Sequence, residues 1–180
     1  MKALVISGGG SKGAFAGGVA QYLLEDQKNN YDLFLGTSTG SLLIPHLALG
    51  NIKQIHDIYT NVDMNKIFDI NPFVVKNKNG IDIVTINHLN VISQFLKGRR
   101  TFGESKKLLK YIKENFSITD FDHLKSLKTD VVITITNLSR NQAEYKSIHD
   151  CTYDEFCEWI WISSNYIPFM SLACKNGFDY

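Results

Sequence analysis

The chain is short of several things that would direct it elsewhere. It carries only three cysteines in 180 residues, Cys151, Cys157 and Cys174. They are odd in number and lack zinc-site spacing, so neither a disulfide framework nor a thiolate metal site is expected. They fit a reducing compartment, where a buried thiol behaves as a small apolar side chain. Charge of one sign is also missing: 19 basic and 18 acidic residues leave a net charge of +1. No long-range field then points to nucleic acid. No uninterrupted apolar run approaches the ~20 residues of a membrane-spanning helix. The first apolar run is too short for a signal-peptide core and leads straight into a glycine turn. These lacks predict a cytoplasmic protein that can still reach a membrane surface. None of the five histidines (His46, His56, His88, His123, His149) has metal-ligand spacing with another, so no metal is expected. Proline is scarce as well, and one of the three, Pro45, falls where a helix is expected and should kink it.

What is present is a pair of glycine-rich turns, separated by the 22 residues Ala14 to Leu35. The first is Gly8-Gly9-Gly10-Ser11-Lys12-Gly13, after the apolar run Ala3 to Ile6. The second is Gly36-Thr37-Ser38-Thr39-Gly40, after Leu33-Phe34-Leu35. Each sits where a strand should end and a helix begin. Backbone N–H groups at a helix start attract negative charge. G-x-S-x-G on a strand-to-helix turn is the pattern of a nucleophile elbow, with Ser38 as its serine. A nucleophile beside an anion hole is what acyl transfer needs. The first turn also matches G-x-G-x-x-G, but the acidic residue that should end the next strand is absent. Asp32 begins that strand instead. A nucleotide-binding module therefore stays open as an alternative.

The rest of the chain reads as one α/β domain. Strands are expected at Lys2–Ser7, Asp32–Leu35, Thr129–Thr136 and Glu144–Ile148. Helices are expected at Ala14–Gln27, Thr39–Leu49, in parts of Ile52–Phe68, at Val91–Lys97, Glu104–Phe116 and Tyr153–Ser164. Gly17 and Gly18 suggest close packing of the first helix on the sheet. Asn71–Asn90, with Pro72 and Gly80, reads as a loop or excursion. A hairpin is expected about Lys175-Asn176-Gly177. Arg99, Arg100, Lys106, Lys107 and Lys110 could meet anionic headgroups, or form a solvated face. Trp159 and Trp161 read as interfacial or core.

The two turns together are similar to those of the patatin-like phospholipase family. Its pattern is G-G-G-x-[KR]-G after the first strand, then G-x-S-x-G on the next. Ser163 to Phe169 resembles the family's Ser-Ser-x-x-x-Pro segment. The resemblance implies a three-layer α/β fold, with a mostly parallel central sheet of about six strands in the complete form and helices on both faces. It implies a lipid acyl hydrolase using a Ser–Asp dyad, with no metal and no cofactor. Ser38 would be the nucleophile, held in an elbow of Gly36, Thr37, Thr39 and Gly40. The loop Gly8, Gly9, Gly10, Ser11, Lys12 and Gly13 would form the oxyanion hole, through the N–H groups of Gly9, Gly10 and Ser11. Partners implied are a glycerolipid or phospholipid ester and a peripheral membrane surface; a protein activator is not indicated. The chain departs from the pattern at the base. The family's aspartate lies in an Asp-Gly turn, and this sequence has none. Asn176 to Tyr180 looks like the stretch just before that turn. The base is therefore expected beyond Tyr180, with Asp179 as a poor substitute. A catalytically inactive domain that binds lipid or a partner is the remaining alternative.

Overall fold

A computed structural model describes residues 1–180. Strand β1 (Ala3–Ile6) leads through a tight turn at Gly10–Lys12 into helix α1 (Gly13–Gln21), which ends in one π-helical turn at Tyr22–Asp26. Strand β2 (Leu33–Thr37) is followed by α2 (Thr39–Ala48), α3 (Ile52–Asn61) and the short α4 (Met64–Ile67). Strands β3 (Phe73–Lys78) and β4 (Ile81–Ile86) precede α5 (His88–Leu96), α6 (Lys106–Asn115) and α7 (Ile118–Ser126). Then come β5 (Asp130–Asn137), β6 (Gln142–Ser147), α8 (Tyr153–Ser164) and the two-residue strands β7 (Cys174–Lys175) and β8 (Phe178–Asp179).

The central sheet has the order β1-β2-β5-β6. β1, β2 and β5 are parallel, with Ile6 beside Gly36 and Gly36 beside Ile133; β6 closes the edge antiparallel. The result is a mixed, mostly parallel sheet flanked by helices, as an α/β pattern requires. β2 is interior to the sheet, so the residue that ends it projects from the carboxyl edge, where such sheets place their sites. Phe34, Val131, Ile133 and Ile135 lie buried on one sheet face, with α2 packed on β2 and α8 on β5. The opposite face carries Val5, Leu35, Val132 and Tyr145, which are half-buried or exposed.

Two segments differ from expectation. Asn71–Asn90 is an ordered excursion and not a loop: it holds the antiparallel β3–β4 hairpin and the start of α5. Its turn is Asn79-Gly80, with φ of 55° and 80°, the pair of positive values that a two-residue hairpin turn demands. Asn176 (φ 53°) and Gly177 (φ 78°) make the same turn between β7 and β8, as expected there. Helix α7 is an addition. Ser117 and Asp120 cap it reciprocally, and Phe121 and Leu124 anchor it. Gly17 meets Ile55 and Leu43 as close packing demands, whereas a side chain at Gly18 would meet nothing within 4 Å. Trp159 and Trp161 resolve as core, at 6% and 7% exposure; the Trp161 indole donates to Ser105 O at 2.9 Å. Two of the cysteines, Cys151 and Cys157, are buried, and burial pushes the Cys157 thiol up to about 11.

His46, two turns into α2, is buried edge-on against Phe116, and its Nδ1 has no partner. Burial lowers its pKa to about 4, against a smaller opposing pull from Asp120. Between the free value of 6.5 and about 4, the unfolded chain binds a proton that the folded chain refuses. Stability is then lost as pH falls through that window. Urea unfolding at pH 7 and pH 5 should show a loss of about 2 kcal/mol from this residue, and His46→Leu should flatten that part of the profile.

Candidate active site

The elbow is built by backbone. Ser38 sits between β2 and α2 with φ 55° and ψ −123°. A side-chain-bearing residue rarely adopts that conformation, and it persists only where surroundings hold it. Two glycines make the turn sterically possible. A Cβ on Gly36 would lie 2.5 Å from Gly40 O and 2.8 Å from Ser41 N; one on Gly40 would run into the carbonyl of Ile6 on β1.

Hydroxyl groups hold the strained peptide on both sides. Ser38 N–H donates to Ser163 Oγ at 2.8 Å, and Ser163 Oγ–H donates to Thr134 O on β5 at 2.7 Å. Ser38 O accepts from Ser41 N–H at 2.8 Å, from Ser41 Oγ–H at 2.5 Å and, at 3.3 Å, from Ser164 Oγ–H, which shares its proton with the nearer Ile160 O at 2.8 Å. The last turn of α8 therefore fixes the conformation at Ser38. In the sequence, Ser163 and Ser164 stand out only as part of a family-like segment, with no role attached to either. The signal was present: two adjacent hydroxyls ending an apolar helix.

The glycine-rich loop lies on the elbow. A Cβ on Gly8 would come 2.8 Å from Ser38 Cβ and 3.4 Å from its Oγ. Gly9 N–H donates to Thr39 Oγ1 at 3.0 Å, which ties the loop to the start of α2. Gly10 has φ 56° and opens the tight turn, where Lys12 N–H donates to Gly9 O at 3.1 Å. The N–H groups of Gly10 and Ser11 stand at the start of that turn, where helical geometry gives them no partner. Gly13 is buried, with the Tyr59 hydroxyl directly over its α-carbon and Thr39 Cβ 3.0 Å from where a side chain would start. The Tyr59 hydroxyl is buried without a partner, and burial pushes its pKa up to about 12. Lys12 and Ser11 are exposed.

The structure thus brings Gly8, Gly9, Gly13, Gly36, Ser38, Thr39 and Gly40 together, and adds Ser41, Ser163, Ser164 and Tyr59. It does not bring Asp179 to Ser38 Oγ. That carboxylate meets Arg100 Nη2 at 2.7 Å, in a cleft of about 250 Å³ that Trp161 and Cys174 also line. Ser38 Oγ makes no hydrogen bond within the chain, although Ser38 N and O make four between them. The histidines lie elsewhere: His46 under Phe116, His56 beside Asp57, and His149 4.0 Å from Asp130. Helix α2 points its positive end at Ser38, which favours an anion forming there.

The model of the family "Patatin-like phospholipase" matches residues 4–175. Uncharacterized protein L620 of Acanthamoeba polyphaga mimivirus is 37% identical over 73 residues, covering 38% of this chain and 18% of that protein. VipD from Legionella pneumophila aligns with a TM-score of 0.61 over 99% of this chain and 45% of its own, at 19% identity, a likeness of fold alone. The chain spans less than half the length of both. No helix is long and apolar enough to cross a membrane. The family match runs through both glycine turns and reaches the β7 strand, and so the chain belongs to the patatin-like phospholipase family.

Proposed function

We propose that this chain carries the nucleophile and the oxyanion hole of a lipid acyl hydrolase that cleaves glycerolipid or phospholipid esters. The observation that carries the proposal is Ser38 itself: a strained serine (φ 55°, ψ −123°) at a strand–helix elbow, with Gly8 packed against its Cβ. Ser38 Oγ attacks the ester carbonyl and its proton passes to a carboxylate. The tetrahedral oxyanion then falls between the elbow and the glycine loop. Gly9 N–H is already engaged by Thr39, so the donors left for the oxyanion are Gly10 and Ser11, with Gly9 holding the loop in place. The intermediate collapses by breaking the bond to the alcohol, which leaves with the proton. Water then attacks the acyl-enzyme and regenerates Ser38.

The proton acceptor in this reading is a carboxylate brought to Ser38 from outside residues 1–180. Asp179, the other candidate, would first have to leave Arg100. A second reading rests on the same lack of a partner at Ser38 Oγ: a domain that binds lipid without hydrolysing it. A fluorophosphonate probe separates the two, since it labels a live nucleophile.

The loop is tested by Gly10→Val. The added side chain meets nothing within 4 Å, but φ at Gly10 is 56°, a conformation a β-branched residue resists. The loop should shift its N–H groups away from the oxyanion. Loss of one such donor lowers kcat by ~10²–10³, and that is the fall expected in ester hydrolysis, with KM and melting little changed. Turnover at the parental rate would make the loop purely structural.

A further inference from the structure

Between Phe73 and Arg100 many large apolar side chains face water, and on α5 two polar ones, Asn90 and Gln94, face inward. On α5, Asn90 Nδ2–H donates to Asn71 O at 2.9 Å, and Gln94 is 1% exposed, with its amide 3.5 Å from Glu104 Oε1. Leu89, Ile92, Phe95 and Leu96 face outward, at 81%, 54%, 54% and 83% exposure. Leu89, Ile92 and Leu96 form one helical stripe. A helix on a globular protein turns such a stripe to the core; here it is reversed. The hairpin that runs into α5 adds exposed apolar residues on both of its faces, Ile81 and Ile83 on one and Val75 and Val84 on the other. Single exposed apolar residues need no explanation, but this many on one hairpin and the helix after it do.

The charge around this set identifies what covers it. From Phe73 to Arg100 there are five basic residues, Lys76, Lys78, Lys97, Arg99 and Arg100, and one acidic residue, Asp82. The segment carries +4 in a chain of +1. Arg99 and Arg100 are paired with Glu104 and Asp179. Lys76, Lys78 and Lys97 have no ion pair, and Lys76 and Lys78 share their hairpin face with Ile81 and Ile83. Apolar side chains interleaved with unpaired lysines match an anionic bilayer, where chains enter the acyl boundary and ammonium groups meet headgroups. A second copy would set like charge against like.

The surface also leads to the elbow. Phe95, Phe102, Phe169 and Tyr166 touch in succession, with ring centroids 5.8, 5.4 and 5.7 Å apart. Tyr166 follows closely on Ser164, which reaches the Ser38 carbonyl.

We propose that the β3–β4 hairpin and the outer face of α5 form the docking surface by which this protein sits on an anionic lipid bilayer. The proposal rests on the lipid hydrolase reading for its purpose, but its test does not depend on turnover. The Ser38→Ala protein is mixed with vesicles of phosphatidylcholine alone or with added phosphatidylserine, and binding is read by flotation. Binding to the phosphatidylserine vesicles is expected, at least about tenfold tighter than to phosphatidylcholine and weakened by salt. Lys76→Gln, Lys78→Gln and Lys97→Gln together should weaken it about a hundredfold, at roughly fivefold per lysine. Leu89→Gln with Leu96→Gln should weaken it at least about tenfold on either vesicle. Both variants change exposed side chains only, so their melting should match the parent. Undiminished binding in either variant would overturn the proposal. So would a parent that ignores vesicles and forms dimers dispersed by Leu89→Gln with Leu96→Gln. Hydrolysis of a soluble p-nitrophenyl ester without vesicle binding would remove the docking surface and leave the hydrolase. Vesicle binding without any hydrolysis by the protein that keeps Ser38 would do the reverse.

Discussion

Replacing Ser38 by alanine is expected to abolish ester hydrolysis and fluorophosphonate labelling while leaving the fold intact. Loss of the nucleophile in serine hydrolases lowers kcat by up to about 10⁶. A fall of at least ~10³ is the expected result here, since the oxyanion hole and binding alone leave only residual catalysis. The fold should survive because Ser38 is held through its backbone: the bonds to Ser163, Ser41 and Ser164 use its N–H and C=O. Ser38→Gly extends the test. It removes the same hydroxyl and also relieves the strain of φ 55°, a conformation that costs a side-chain-bearing residue ~1–3 kcal/mol. The glycine variant should therefore melt above the parent while being equally inactive. Steady-state kinetics and melting on the three proteins check both halves. An alanine variant that turns over at the parental rate would remove Ser38 from the chemistry.

Gly40→Ala is the second large effect, and it strikes the fold as well as activity. The new methyl group would run into the Ile6 carbonyl, with Ile6 C at 2.9 Å and Ile6 Cβ at 3.2 Å. Those are mostly atoms of the β1 backbone, which is tied to β2 through the parallel ladder, so nothing flexible can give way. Overpacking of this kind costs typically ~1–3 kcal/mol and sometimes more. The upper end is expected, with melting lowered by about 6–12 °C for a chain of this size. The elbow would shift with α2, and labelling of Ser38 should drop in parallel. Gly18→Ala is the matched control. Nothing lies within 4 Å of its new side chain, and it sits inside α1, where alanine is favoured over glycine by ~0.5–1 kcal/mol. It should be neutral or slightly stabilising. Equal melting for both variants would mean that the elbow tolerates a side chain beneath it.

The parts of this fold that were legible in sequence are those with a local cause. The runs Ala3–Ile6 and Leu33–Leu35 end at glycine turns, and the strand–turn–helix order follows from them. Tyr153–Ser164 carries a capping box, Thr152 with Glu155, and its helix begins where that box places it. The pair Asn79-Gly80 is itself a hairpin signal, but the asparagines around it favour a loop, and the β-branched residues beside it stand in runs, Val74-Val75 and Ile83-Val84-Thr85-Ile86, without clean alternation. α7 lacked a long apolar period, with only Phe121 and Leu124 buried on it. The serine clamp could not be read in advance, because Ser163 and Ser38 lie 125 residues apart and meet only through the β5–α8 packing. The outward stripe of α5 was equally hidden. Periodicity shows that Leu89, Ile92 and Leu96 share a face, and only the packing of Asn90 and Gln94 shows which way that face turns.

The central claim is that Ser38 is a live acyl-accepting nucleophile, and mapping of a covalent adduct tests it most directly. The native protein is treated with a fluorophosphonate and its peptides are analysed by mass spectrometry. A single adduct on Ser38, absent from the Ser38→Ala protein, is the predicted result. An adduct on another serine, or ester hydrolysis that proceeds with Ser38 unmodified, would contradict it.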